Sequence, residues 1–185
     1  MKSPDKTKYL NTRNISFLSP DLNSLENQKT GLLILFLFED KKPLKGITSL
    51  VDWRLLGIIS KHFINGFITG KRDETVLLNP GQRLPFLHIA IIGLGKRDDF
   101  NKDVFCSALN KMDEVIKGLK EKIIVTPLPG RAEELIESSD AITWFLDTMN
   151  MHDFNKKISI IELKKCQPIM MSSLEKWRLK HSITL

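Results

Sequence analysis

Three places along the chain carry residue types that could do chemistry. The first is Gly93-Leu94-Gly95-Lys96-Arg97, which follows an apolar run and precedes a stretch of helical periodicity. Glycines let backbone N–H groups approach a phosphate, and cations at a helix start favour an anion. The dinucleotide-binding spacing Gly-x-Gly-x-x-Gly is incomplete, because Asp98 stands where the third glycine belongs. A tight turn with solvated charges is the competing reading. The second place, Pro127-Leu128-Pro129-Gly130-Arg131, is again a loop entering a helix, with Arg131 able to face an anion on the same sheet edge. Its two prolines lack N–H donors, so a rigid connection competes. The third, Asp52-Trp53-Arg54, sets an acid, an aromatic and a guanidinium side by side. Trp and Arg are enriched at interface hot spots, so this cluster is read as a surface for a ligand or a neighbouring subunit, against a buried Trp flanked by solvated charges.

Catalytic patterns are scarcer. His62, His88, His152 and His181 lie far apart, and none falls in a His-x-x-x-His or His-x-Glu arrangement. There is no Gly-x-Ser-x-Gly elbow and no complete phosphate-binding Walker loop. Glu133, Glu134 and Glu137 fall on the expected solvent side of a helix. Cys106 and Cys166 lack metal-site spacing, and Cys106 is expected to serve as a small core hydrophobe. No catalytic residue, metal site or cofactor is assigned.

The elements that must position these residues alternate between strands and helices. Ile15 to Leu18 reads as a short strand, and Leu32 to Phe38 as a continuous apolar run of the kind buried on both sheet faces. A helix is predicted from Thr48 or Ser49 to about His62, with Ile47, Leu50, Val51, Leu55, Ile58 and Ile59 on one face. Thr75 to Leu78 and Phe86 to Ile92 are the next strands, the latter ending in Gly93-Leu94-Gly95. Asp98 or Asp99 is the expected cap of a helix carrying Val104, Phe105, Ala108, Met112 and Ile116. A strand at Ile123 to Thr126, a helix from about Ala132 to Met149 and a strand at Ile158 to Leu163 follow. Ser172 and Glu175 have capping-box spacing for a terminal helix. This alternation predicts an α/β fold with a mostly parallel or mixed sheet between helical layers. The pair near Thr75 and Phe86 is the place for an antiparallel departure.

Composition bounds the classes. The 185 residues, 42% hydrophobic, suffice for one domain with a real core; residues 1–13 read as a polar leader and 14–185 as a single α/β domain. The charge of +6 comes from scattered basic pairs, among them Lys71-Arg72, Lys96-Arg97 and Lys164-Lys165, not from a helix-long stripe, which argues against nucleic acid as a partner. The longest apolar run, Leu32 to Phe38, is too short to span a bilayer, so no membrane role is expected and the cytoplasm is the expected compartment.

Five segments together carry a family resemblance: Phe36-Leu37-Phe38-Glu39-Asp40, Pro43-Leu44-Lys45-Gly46, Leu50-Val51-Asp52-Trp53-Arg54-Leu55, Gly66-Phe67-Ile68-Thr69-Gly70-Lys71 and Ile91-Ile92-Gly93-Leu94-Gly95. In this order they resemble the N-terminal domain of cytosolic leucyl aminopeptidases, over about Leu32 to Leu163. The resemblance implies a three-layer macro-domain-like fold. The two-metal site of that family, with its Asn-Thr-Asp-Ala-Glu-Gly-Arg-like signature, belongs to a separate C-terminal domain with no counterpart before Leu185. The implied role is therefore non-catalytic: a free-standing domain for self-association, since in the enzymes this domain helps form the oligomer, or for docking a protein partner through Asp52, Trp53 and Arg54. The alternative is a binder of a nucleotide, ADP-ribose-like or other phosphorylated small molecule at Gly93, Gly95, Lys96, Arg97, Gly130 and Arg131. Residual aminopeptidase activity is the third and weakest reading.

Overall fold

Two apolar runs define the centre of the sheet. Every residue of β2 (Leu32–Phe38) is apolar, and β4 (His88–Gly95) beside it is nearly so. A strand apolar on both sides must be covered on both faces. The computed structural model, which describes residues 14–149 and 156–182, has that arrangement. The leader at 1–13 and His152 lie outside the described residues.

The remaining strands are β1 (Ile15–Leu18), β3 (Thr75–Leu78), β5 (Ile123–Pro127) and β6 (Lys157–Ile161), giving the order β1-β6-β5-β2-β4-β3. All pairings are parallel except β3 on β4, which is the expected departure. The helices are α1 (Leu22–Glu26), α2 (Gly46–Arg54), α3 (Ile58–Ile64), α4 (Lys102–Leu119), α5 (Ser138–Met149) and α6 (Gln167–Ser182). Alternate residues of β2 serve the two faces, as the strand period of two requires. Leu32 and Ile34 pack with α4, α5 and α6, while Leu33 and Leu35 pack with α1, α2, α3 and the loop carrying Leu84 and Phe86. The five parallel strands end along one sheet edge, at Leu18, Ile161, Pro127, Phe38 and Gly95.

Several boundaries differ from expectation, each for a local reason. The helix expected from Thr48 to His62 is two helices meeting at an elbow, where Leu56 and Gly57 both adopt left-handed conformations (φ 60 and 77). The Asp52 carboxylate drives the break by accepting the N–H groups of Ile59 and Ser60, the unsatisfied donors of a new helix start. Strand β4 continues through Gly93 to Gly95, still paired with Leu37 and Phe38 of β2. Helix α4 is capped by Asn101, which accepts from the N–H groups of Asp103 and Val104; Asp98 and Asp99 occupy a preceding 3-10 turn. Residues Arg131–Glu133 also form a 3-10 turn, bracketed by left-handed Gly130 and Glu134, and this delays α5 to Ser138. Helix α6 starts at Gln167, earlier than the capping-box spacing suggests, with the Gln167 side chain donating to the Glu162 carbonyl.

Candidate functional site

The sheet edge where the parallel strands end is the first place to look for a ligand in an open α/β fold. Its glycines are engaged by the chain itself. The turn at Gly70 and Lys71 lies against β4, so a Cβ on Gly93 would collide with the Lys71 carbonyl oxygen and the Gly70 backbone. The Gly93 N–H donates to the Glu74 carbonyl and the Gly95 N–H to the Gly70 carbonyl, both at 2.9 Å. The Arg97 N–H donates to the Asp40 carboxylate at 3.0 Å. Lys96 is exposed, and Arg97 lies 3.8 Å from Asp98. Gly130 is left-handed (φ 73) and has the Phe100 ring where a Cβ would sit.

Arg131 meets a carboxylate of the chain. Its side chain is 9% exposed and forks onto Glu162, itself 4% exposed, through Nε at 2.7 Å and Nη2 at 3.2 Å; Nη1 donates to the Ile136 carbonyl. Burial alone would lower the pKa of the guanidinium, but the hydrogen bond and charge of Glu162 outweigh it and hold the group above its ordinary value. Glu162 escaped the sequence reading, since a lone acid at the end of an apolar strand carries no spacing signal.

The loops after β4 and β5 do come together, but the space between them is small. A cavity of about 30 Å³ is lined by Phe38, Leu94, Leu128 and Gly130, and another of about 120 Å³ by Gly46, Arg131, Ala132 and Glu162. The start of α2 stands over this edge: Gly46 abuts Ala132, and Lys45 pairs with Glu133 at 3.3 Å. Glu133, expected on a solvent face, thus helps close the crevice. Small-molecule sites typically enclose about 300–1,000 Å³.

Asp52, Trp53 and Arg54 go three different ways. Asp52 is buried, accepting from Ile59 N–H (2.8 Å), Ser60 N–H (3.1 Å) and the Ser60 hydroxyl (2.5 Å). Arg54 bonds through Nε to Glu26 at 2.7 Å. Trp53 projects into solvent, 70% exposed, with Leu56 close by in sequence at 72%. These residues border an open groove of about 440 Å³ at the elbow of α2 and α3, whose lining also includes Arg83 from the loop before β4. Leu56 and Arg83 also escaped the sequence reading, Leu56 because its spacing suited a continuous helix and Arg83 because it lies in a turn-rich loop.

Among the described residues no group of three or more His, Cys, Asp or Glu side chains is placed to hold a metal ion. Cys106 packs against the α4–α5 side of the core and accepts a bond from the Thr148 hydroxyl. No helix among the described residues is long and apolar enough to cross a membrane.

A mostly parallel six-stranded sheet between two helical layers, with its crevice along the strand ends, defines a macrodomain-like fold. A macrodomain variant from Oceanobacillus iheyensis superposes with a TM-score of 0.67 at 13% identity, covering 90% of this chain and 92% of its own. A variant of tomato leucine aminopeptidase superposes with a TM-score of 0.58 at 14% identity, over 93% of this chain and 36% of the enzyme. The profile of the cytosol aminopeptidase family, N-terminal domain, matches residues 34–147, and the chain belongs to that family. Curated relatives include a probable cytosol aminopeptidase of Trichormus variabilis, 32% identical over 110 residues, which are 60% of this chain and 22% of the relative. Another, from Alkaliphilus oremlandii, is 25% identical over 140 residues, 71% of this chain and 28% of the relative. The chain therefore spans 22% and 28% of the length of these two relatives.

Proposed function

We propose that this chain works as a protein-association domain and that its docking face is the elbow of α2 and α3. One observation carries the reading: Trp53 and Leu56 stand about 70% exposed around an open groove, while Val51, Leu55 and Ile59 of the same two helices and their junction are buried. Exposed apolar clusters rimmed by polar groups mark interaction sites, and Trp and Arg are the side chains that most often dominate binding energy there. Sedimentation velocity on the wild-type chain and on Trp53→Ser/Leu56→Ser, alone and mixed with native extract, tests it. Concentration-dependent association or a co-sedimenting protein, lost in the double variant, is expected. A wild-type chain that stays monomeric and unaccompanied throughout overturns the reading.

A second reading has its own support. The loops after β4 and β5 lie beside each other at the strand-end edge, and an Oceanobacillus iheyensis macrodomain solved with ADP superposes with a TM-score of 0.66 at 11% identity, covering 84% of this chain and 88% of its own. A phosphorylated small molecule would sit by Gly95, Lys96, Arg97, Gly130 and Arg131, opposite Gly93. It would need the Lys45–Glu133 pair to part, and Lys45 is 57% exposed and able to swing away. Thermal shift with ADP-ribose and nucleotides checks this. A ligand at a hundred times its Kd adds about 2.7 kcal/mol, so an unmoved midpoint at saturation rules the site out.

A further inference from the structure

The elbow groove also specifies what it would take, an inference that rests on the association reading above. Between Lys41 and Gly70 the chain carries five cations, Lys41, Lys42, Lys45, Arg54 and Lys61, and a single acid, Asp52. That acid is buried and committed to Ile59 and Ser60. Of these charged residues only Asp52 and Arg54 line the groove, and Arg54 shares its charge with Glu26 at 2.7 Å. Arg83 adds an exposed residue to the lining of the groove, and among the described residues it has no ion-pair partner. Arg54 is oriented by its Nε bond to Glu26 and borders the same space. Trp53 and Leu56 thus share the lining of the groove with two cations.

We propose that this groove binds a peptide segment of a partner protein in which an aliphatic or aromatic side chain lies next to carboxylates. The apolar side chain packs on Trp53 and Leu56, and the carboxylates face Arg83 and Arg54. A guanidinium recognises a carboxylate through paired N–H donors, and an apolar neighbour excludes the water that would weaken that contact. A second copy of the chain fits this surface less well. A two-fold contact lays a patch against itself, which would oppose Arg54 and Arg83 with the same cations.

The test pans displayed random peptides against the immobilised full chain, then measures the enriched peptides by fluorescence anisotropy. Wild type is compared with Trp53→Ala and Arg83→Glu, both checked for unchanged melting. Enriched sequences should pair Asp or Glu with Leu, Phe or Trp. Each substitution should weaken binding about tenfold or more. Exchanging the peptide carboxylates for lysines should restore affinity toward Arg83→Glu. Enrichment of basic or uncharged peptides, or affinities unmoved by both substitutions, overturns the proposal. Self-association abolished by Trp53→Ala, with no peptide enriched, also overturns it while leaving the association reading standing. Retention on phosphatidylserine vesicles in place of any peptide overturns both.

Discussion

The two ends of α2 meet opposite conditions. Its first turn is pressed into the strand-end edge, with Gly46 against Ala132 and Lys45 on Glu133. Its last turn leaves Trp53 in solvent beside a groove. Residue type alone marked both ends, Asp52-Trp53-Arg54 as an interface and the glycine loops at the edge, with Arg131, as the alternative anion cradle. The difference lies in partners: at the edge the chain's own carbonyls and a carboxylate engage Gly93, Gly95 and Arg131, whereas at the elbow the Trp53 ring is exposed and Arg83 has no ion-pair partner among the described residues.

Substitutions can break this contrast, beginning with the largest effect. Glu162→Ala would leave the Arg131 guanidinium buried without its carboxylate, and breaking a buried pair typically costs about 3–5 kcal/mol. Urea unfolding should register most of that; a loss under about 1 kcal/mol, the surface-pair range, would mean the edge is not braced as described. Gly93→Ala comes next, at about 1–3 kcal/mol, because the added methyl meets backbone and not a yielding side chain. Unchanged thermal stability would contradict the close approach of Lys71.

Two neighbouring residues sharpen the comparison. Asp52→Ala removes a buried carboxylate that satisfies two helix-start N–H groups and a hydroxyl, and should cost about 2 kcal/mol with loosened amide exchange in α3. Trp53→Ala, one residue on, should change stability by no more than about 0.5 kcal/mol while weakening peptide binding about tenfold or more. A comparably small structural effect belongs to Lys45→Ala, whose half-exposed pair with Glu133 is worth about 0–1 kcal/mol. Its value is diagnostic: if a nucleotide raises the melting point of this variant more than that of wild type, the crevice is a gated site.

The sheet was legible because its signals are local. Seven consecutive apolar residues at Leu32–Phe38 have only one comfortable place in an α/β fold, and β5, α4 and the antiparallel β3 were equally plain from periodicity and turns. The elbow was not. Apolar spacing runs unbroken from Ile47 to Ile59, and the residue that breaks the helix, Asp52, does so by reaching forward seven residues to Ile59. Gly93-Leu94-Gly95 read as a strand exit because glycine usually marks one. Here Gly93 is a β position over which the turn at Gly70 and Lys71 crosses, a contact between segments about twenty residues apart. Arg131 and Glu162 are separated by 31 residues, so nothing near Arg131 announces its partner. Trp53 stood out by residue type, but its exposure was one of two readings until α2 had an orientation.

The most direct test of the account is a pair of amide chemical-shift titrations on the isotope-labelled chain. One uses an acidic, apolar peptide from the display experiment; the other uses ADP-ribose. The account predicts that the peptide shifts Trp53, Leu56, Gly57 and Arg83 while ADP-ribose leaves Gly95, Arg97, Gly130 and Arg131 in place. Saturable shifts centred on Gly95, Arg97 and Gly130, with the elbow silent to peptide, would contradict it.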